Sequence, residues 1–287
     1  MIQPPSFIVI GHPLGHSMSP FIHNRLFALQ GRDSLYGKQD IPPEELSAVL
    51  PQLMRELGGI NVTIPYKQTV IPLLDGLKGR AELYRSVNTI AVTPQGNFGY
   101  NTDAEGFLCA LKSGGVELKG RVALLGCGGV GRTFACEAAL AGCAIVNAVR
   151  PSDLSAAEEL RSYVQHLSPG TTYDICTLDD LARQPEDFNL LINATPVGMY
   201  PHMEASPVDS PVLARTAAVF DAVYNPRQTR LLAMASAAGA KTVAGMPMLV
   251  WQAVAAHTIW YGASFREQDI QQLVDDAQTE MERLFQQ

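Results

Sequence analysis

Val122-Ala123-Leu124-Leu125 runs directly into Gly126-Cys127-Gly128-Gly129-Val130-Gly131, and few folds accommodate that junction. A short apolar strand that turns on glycines spaced G-x-G-x-x-G and continues into a helix is the context of a dinucleotide-binding βαβ unit. The glycines permit a tight turn and let backbone N–H groups approach a pyrophosphate, whose charge then rests on the positive end of the helix. A Gly-rich β-α turn that binds nothing is the bland alternative. Strand, spacing and helix together favour the nucleotide, so Gly126, Gly128, Gly129, Val130 and Gly131 are expected to hold a cofactor.

The helix through Phe134 and Leu140 stops at Gly142, and strands are expected at Ala144 to Val149, Leu190 to Asn193 and Ala218 to Asp221. Strand-helix repeats of this length imply a parallel, doubly wound sheet. Upstream, Phe7 to Ile10 reads as a buried strand, and Ser19-Pro20 as a capping serine with proline at the first helical position. Pro43 to Leu57 reads as a helix, Gly59 to Thr63 as a strand, and Pro65-Tyr66-Lys67 as the start of another helix. Ser86 to Val92 and Phe98 to Asn101 read as two strands joined by the turn Thr93 to Asn97. Met248 to Tyr261 and Arg266 to Phe285 carry helical periodicity and are expected to pack back onto the first domain. At 287 residues the chain suits two domains better than one layer structure.

Charge excludes several functions. The net charge of −7 comes without a basic cluster, so the electrostatic footprint of nucleic-acid binding is missing. An acidic shell also repels anions, so a small anionic substrate must be held by local donors. The N-terminus has no basic n-region, and no apolar run reaches the length of a membrane span; a soluble, cytoplasmic protein is expected. The five cysteines include no C-x-x-C pair and read as reduced thiols. His12, His16 and His23 lie close in sequence, but Pro13 and two glycines prevent a regular helix and no carboxylate or cysteine ligand accompanies them. No metal is expected.

Cofactor choice is read after the second strand of the dinucleotide unit, at Ala148-Val149-Arg150-Pro151-Ser152-Asp153. Arg150 can pair with the 2′-phosphate of NADP, or stack on adenine and leave the ribose to Asp153. Both can also be solvated loop charges. Val149 and Leu154 offer no second donor to a phosphate, and Asp153 would repel one, so NAD is expected to serve at least as well as NADP.

Further motifs lie outside this unit: His12-Pro13-x-x-His16-Ser17-x-Ser19-Pro20-x-x-His23-Asn24, Asn61-Val62-Thr63-x-Pro65-x-Lys67, Val87-Asn88-Thr89, Asn101-Thr102-Asp103-x-x-Gly106, Asn193-Ala194-Thr195-Pro196 and Met248-Leu249-x-x-Gln252. In order and spacing the chain resembles the shikimate and quinate/shikimate dehydrogenases over nearly its whole length. The resemblance implies an α/β protein with an αβα substrate-binding and catalytic domain, residues 1–103 plus 246–287, closed by the C-terminal helices. It also implies a Rossmann domain, residues 104–245, with catalysis in the cleft and hinge closure. The substrate implied is a cyclitol carboxylate, shikimate or a close analogue such as quinate. The assembly expected is a monomer or homodimer.

By the same resemblance Lys67 and Asp103 form the catalytic pair, the lysine exchanging the hydroxyl proton as hydride moves to the nicotinamide. Lys67 falls in the first turn of an expected helix, where the dipole disfavours its charge, while Asp103 nearby favours it. Without the resemblance, Lys67 reads as a surface charge and Asp103 as a helix cap. Ser17 and Ser19 are implied to bind the carboxylate, and Thr63, Asn88, Gln252 and Tyr224 the rest of the substrate. Thr195, Val223 and Gly245 are implied to contact the cofactor; Tyr224 can equally be the amphipathic rim of a strand end. Arg85-Ser86 and His257 depart from the family pattern, and a phosphate clamp after Val149 is incomplete. A rival of another class is a protein that holds NAD(P) and ligand without turnover.

Overall fold

The computed structural model describes residues 6–15 and 17–285. The chain divides into two compact units, Met1–Asp103 with Val250–Met281, and Ala104–Leu249 with Glu282–Gln287.

Among the described residues the first unit holds strands β1 (Phe7–Gly11), β2 (Tyr36–Asp40), β3 (Gly59–Val62), β4 (Gly76–Leu77), β5 (Thr89–Thr93) and β6 (Gly96–Tyr100), with helices α1 (Ser19–Leu29), α2 (Leu46–Glu56) and α3 (Arg80–Tyr84). They form one sheet in the order β2-β1-β3-β5-β6-β4. β1 runs parallel to β2 and β3, whereas β5 is antiparallel to both β3 and β6. Side chains alternate across a strand, so β1 sends Ile8 and Ile10 into a core with Leu46 and Leu50 of α2. Phe7 and Val9 pack with Phe27 of α1 and with Trp260 on the opposite face. Leu50 is fully buried, and its truncation to alanine would cost about 2–5 kcal/mol. Gly59 is required for packing here: a Cβ on it would stand 2.3 Å from Trp260 Nε1, and that nitrogen donates to the Ile90 carbonyl at 3.0 Å.

The second unit is wound in strict alternation. Its elements are α4 (Asp103–Ser113), β7 (Arg121–Leu125), α5 (Gly129–Leu140), β8 (Ala144–Val149), α6 (Leu154–Leu167), β9 (Tyr173–Thr177), α7 (Leu178–Leu181), β10 (Leu190–Asn193), α8 (Ser210–Leu213), β11 (Ala218–Asp221), α9 (Arg230–Ala237) and β12 (Lys241–Val243). Helices α10 (Gly245–Tyr261) and α11 (Glu267–Phe285) end the chain. The sheet order is β12-β11-β10-β7-β8-β9, and its ladders are parallel. That order reverses between β7 and β10, the position where open α/β sheets form a ligand crevice beyond their carboxyl ends. The expected doubly wound sheet is therefore present. No helix among the described residues is long and apolar enough to cross a membrane.

Four local expectations are corrected. Lys67 does not begin a helix: residues 65–70 form turns, with Tyr66 N–H donating to Thr63 O at 2.9 Å, before a 3-10 turn at Ile71–Leu73. Pro72 lacks the N–H that would propagate α structure, so the helix-dipole argument for Lys67 falls away. Ser19 is the first helical residue rather than the cap, which is Met18. Residues 43–45 form a turn and α2 starts only at Leu46. β5 begins at Thr89 and β6 at Gly96, which shortens the connecting turn to Pro94-Gln95. The edge strand β2, Tyr-Gly-Lys-Gln-Asp, carries no apolar alternation, and its pairing with β1 alone reveals it.

Candidate active site

A buried polar cluster forms where the β5-β6 hairpin folds residues 88 and 103 together. Lys67 Nζ donates to Asp103 Oδ2 at 2.5 Å, and Asn88 Nδ2 donates to Asp103 Oδ1 at 2.9 Å. Both carboxylate oxygens of Asp103 thus face side chains, so its carboxylate is not reserved for helix capping although Asp103 opens α4. The Lys67 and Asp103 side chains are only 15% and 9% exposed, which takes the pair out of the weak surface-ion-pair regime.

Asn88 is the hub of this cluster. Its Oδ1 accepts from the Thr102 N–H at 2.8 Å and from the Thr102 hydroxyl at 3.2 Å. Its Nδ2 donates to Thr102 Oγ1 at 3.0 Å and reaches Gln252 Oε1, from α10, at 3.5 Å. Asn61 Nδ2 then donates to the Asn88 carbonyl at 3.1 Å, and Tyr36 OH donates to Asn61 Oδ1 at 2.6 Å. Burial of so many paired polar groups fixes one arrangement, because an unpaired member would lose its solvation without return. Asn61 and Thr102 stand inside the sequence motifs but carried no role there; their spacing within the motifs was the available signal.

Ser17, Ser19 and Thr63 belong to the same unit. The Ser19 N–H donates to Ser17 Oγ at 3.2 Å. The loop before them is tied to β2 by Asp40, whose Oδ1 meets His12 Nδ1 at 2.7 Å and whose Oδ2 accepts the Leu14 N–H. These bonds, the Leu14 N–H first, hold the Asp40 carboxyl below its ordinary range. Lys38 Nζ adds a bond to the Gly15 carbonyl at 2.7 Å. Neither Asp40 nor Lys38 was singled out in the sequence, since both sit on the strand whose pattern is silent. Thr63 follows β3, and its Cγ2 lies 2.5 Å from where a Cβ on Gly11 would be. His16 lies outside the described residues, so the three-histidine motif is described only at His12 and His23.

In the second unit the glycine loop has the form a dinucleotide requires. Gly126 has φ +91°, and a Cβ on Gly131 would stand 2.9 Å from the Gly126 carbonyl oxygen. Gly128 and Gly129 open onto free space at the start of α5, where helix N–H groups are available to an anion. Thr195, after β10, adjoins the loop: its Cγ2 lies 2.9 Å from where a Cβ on Gly126 would be. Gly245 is as constrained, with Ala222 O 2.5 Å from its would-be Cβ. Val223 is buried and Tyr224 half-buried after β11, and burial raises the Tyr224 phenol above its usual range.

Arg150 and Asp153 bond to each other, Nε to Oδ2 at 2.7 Å and Nη2 to Oδ1 at 3.2 Å. The Arg150 fork holds the Asp153 carboxyl below its ordinary range. The departures from the family pattern fall in different places. Arg85 is exposed with φ 52°, at the end of α3. Ser86 is buried, and its carbonyl accepts from Asn101 Nδ2 at 3.1 Å. His257 is buried among Phe27, Trp260 and Tyr261, and its ring nitrogens bond to His23 and Gln30. The five cysteines are free; burial pushes Cys136 up to about 12 and Cys143 and Cys176 to about 11, so these three are thiols.

Comparison with known proteins places nearly the whole chain beside one family. Residues 9–90 match the family model described as the shikimate dehydrogenase substrate binding domain. The chain is 38% identical to the shikimate dehydrogenase (NADP(+)) of Symbiobacterium thermophilum, covering 88% of each chain. The crystal structure of shikimate 5-dehydrogenase from Thermus thermophilus with NADP(H) and shikimate superposes with TM-score 0.82 at 33% identity, covering 96% of this chain and all of that one. That of the Listeria monocytogenes enzyme with shikimate and NAD gives TM-score 0.85 at 29% identity, covering 94% and 96%.

Proposed function

The chain belongs to the shikimate dehydrogenase family, and from that premise we propose that it interconverts shikimate and its 3-dehydro ketone with NAD(P), using Lys67 and Asp103 for proton transfer. The carrying observation is the largely buried Lys67 Nζ held on Asp103 Oδ2 at 2.5 Å. When bound, the nicotinamide supplies a hydride acceptor or donor. In the reducing direction Lys67 Nζ delivers a proton to the ketone oxygen as hydride reaches the carbon; in the oxidising direction it receives the proton from the hydroxyl. Asp103 orients Nζ through Oδ2 while Asn88 secures Oδ1.

Ser17 and Ser19 offer hydroxyls to the substrate carboxylate, and Thr63, Asn88, Gln252 and Tyr224 contact the remainder. A site of paired neutral donors and acceptors rejects substrates that leave its members unpaired, which suits a polyhydroxy ring. The fingerprint glycines, with Thr195, Val223 and Gly245, hold the cofactor.

NAD serves at least as well as NADP in this reading. Arg150, the donor a 2′-phosphate would need, already bonds Asp153 with Nε and Nη2, and the Asp153 charge opposes a phosphate. The Symbiobacterium thermophilum relative is named for NADP(+), so a preference for NAD would set this chain apart from it. The overall reading is tested with shikimate, quinate and related acids, each with NAD and NADP. Turnover of shikimate supports it. Ligand and cofactor binding without turnover would make the chain a non-catalytic member, and a preference for quinate would change the substrate while keeping the machinery.

A further inference from the structure

Asn193 ends β10 and Asp221 ends β11, and the two are register partners in the parallel pair. Both are fully buried, and Asn193 Nδ2 donates to Asp221 Oδ1 at 2.9 Å. What remains of each side chain goes to backbone and hydroxyl groups beyond the strand ends. Asn193 Oδ1 accepts from the Thr195 N–H at 3.0 Å and from its hydroxyl at 2.7 Å. Asp221 Oδ1 also accepts from the Val223 N–H at 3.0 Å, and Oδ2 accepts from the Thr229 hydroxyl at 2.6 Å. Thr229 in turn accepts from the Leu232 N–H at 3.2 Å and caps α9.

The consequence is that one buried pair fixes the loops after two neighbouring strands. Gly126 and Gly245 pack against those same loops, because a Cβ on either would collide with Thr195 Cγ2 or Ala222 O. Burial raises the Asp221 carboxyl above its ordinary range, against the bonds from Thr229, Val223 and Asn193 that oppose the rise. A buried carboxylate whose partners are an amide, an N–H and a hydroxyl is a weak contributor to stability, since an apolar pair of like volume would avoid the desolvation. Its value lies in geometry: each oxygen accepts from groups that must point one way, and loops fixed before binding lose less entropy when a ligand arrives.

We propose that Asp221, acting with Asn193, is a positioning residue that presets the loops of Thr195 and Val223 to receive the cofactor. This rests on the reading that Thr195 and Val223 hold the cofactor.

The test uses the full chain and direct titration of NADH by its own fluorescence, alongside steady-state kinetics. Asp221→Asn keeps the shape but removes a carboxylate oxygen, and is expected to raise the NADH Kd at least about tenfold while the shikimate KM stays within about threefold. Thr229→Val is expected to act in the same direction, and Thr229→Ser, which keeps the hydroxyl, to restore NADH binding to within about twofold of the parent. Restoration by serine separates positioning from a general loss of packing. If Asp221→Asn fails to fold, the Thr229 pair decides alone. Thr195→Val removes the hydroxyl itself, together with its bond to Asn193 Oδ1, and is compared with the Asp221 and Thr229 variants. If it weakens NADH binding while folded Asp221→Asn and Thr229→Val bind within about twofold of the parent, the positioning role is overturned and the reading of Thr195 stands. If Thr195→Val also binds NADH normally, the cofactor reading of that residue fails and the positioning role falls with it.

Discussion

Lys67 Nζ stands 2.5 Å from Asp103 Oδ2, although 36 positions separate them in sequence. The turn after β3 and the end of the β5-β6 hairpin meet at this bond, and Asn88 holds the other oxygen of the same carboxylate. The Lys67 side chain therefore has a fixed direction, which is what the proposed proton transfer demands of it.

Lys67→Ala is expected to lower kcat by at least about 100-fold with cofactor affinity nearly unchanged, since acid–base groups contribute about 10²–10⁴-fold. The check is kcat with shikimate beside a cofactor titration. A folded variant that loses less than about fivefold would remove Lys67 from the role.

Asp103→Asn keeps an acceptor for one neighbour but places an amide where Lys67 or Asn88 expects an oxygen. We expect kcat to fall about 10–100-fold, and the double variant with Lys67→Ala to be scarcely worse than Lys67→Ala alone, because residues acting as a unit are not additive. Additive losses in this cycle would show that Asp103 acts independently of Lys67.

For the cofactor, kcat/KM with NAD is expected to equal or exceed that with NADP, because the Arg150 fork is occupied by Asp153. An NADP preference above about tenfold, about 1.4 kcal/mol, would mean that the phosphate displaces Asp153 or finds another partner.

Gly131→Ala places a Cβ 2.9 Å from the Gly126 carbonyl oxygen, a backbone atom that can yield only by opening the loop. NADH affinity is expected to fall at least about tenfold while shikimate affinity holds. Equal NADH titrations for variant and parent would detach this loop from cofactor binding.

Acid should destabilise the fold through two histidines. Burial, and then the charge of Arg32, pulls His257 down to about 3; burial, and then His257, pulls His23 well below its ordinary value. Unfolded imidazoles titrate near about 6.5, so below that pH the unfolded chain binds more protons than the folded one. Their stabilising contribution is therefore complete above about pH 6.5 and is lost as pH falls, for His257 down to about pH 3, at up to about 1.4 kcal/mol per unit for each group. Thermal melting at about pH 7.5 and pH 5 should show a drop in Tm that is smaller in His257→Phe, which places a ring in the same aromatic cluster. Equal drops in parent and variant would exclude His257 as a source.

The doubly wound sheet was legible from local order, because Val122 to Leu125 followed by spaced glycines satisfies a local rule: strand, turn and helix are adjacent in the chain. It also carried the family, since the motifs holding Lys67, Asn88, Asp103 and Gln252 are legible as patterns. Tertiary structure alone decided where those patterns go. β2 has no apolar period and exists through its pairing with β1, so Asp40 and Lys38, which tie down the loop before Ser17, were invisible. The helix expected at Lys67 is replaced by turns, and Pro72 lacks the N–H that would carry α structure further. Arg150 and Asp153 were legible as neighbours, but their bond to each other depends on the path of the backbone between them. Asn193 and Asp221 illustrate the same limit: parallel pairing sets them side by side, and the identity of each residue gives no hint of the other until two strands share a register.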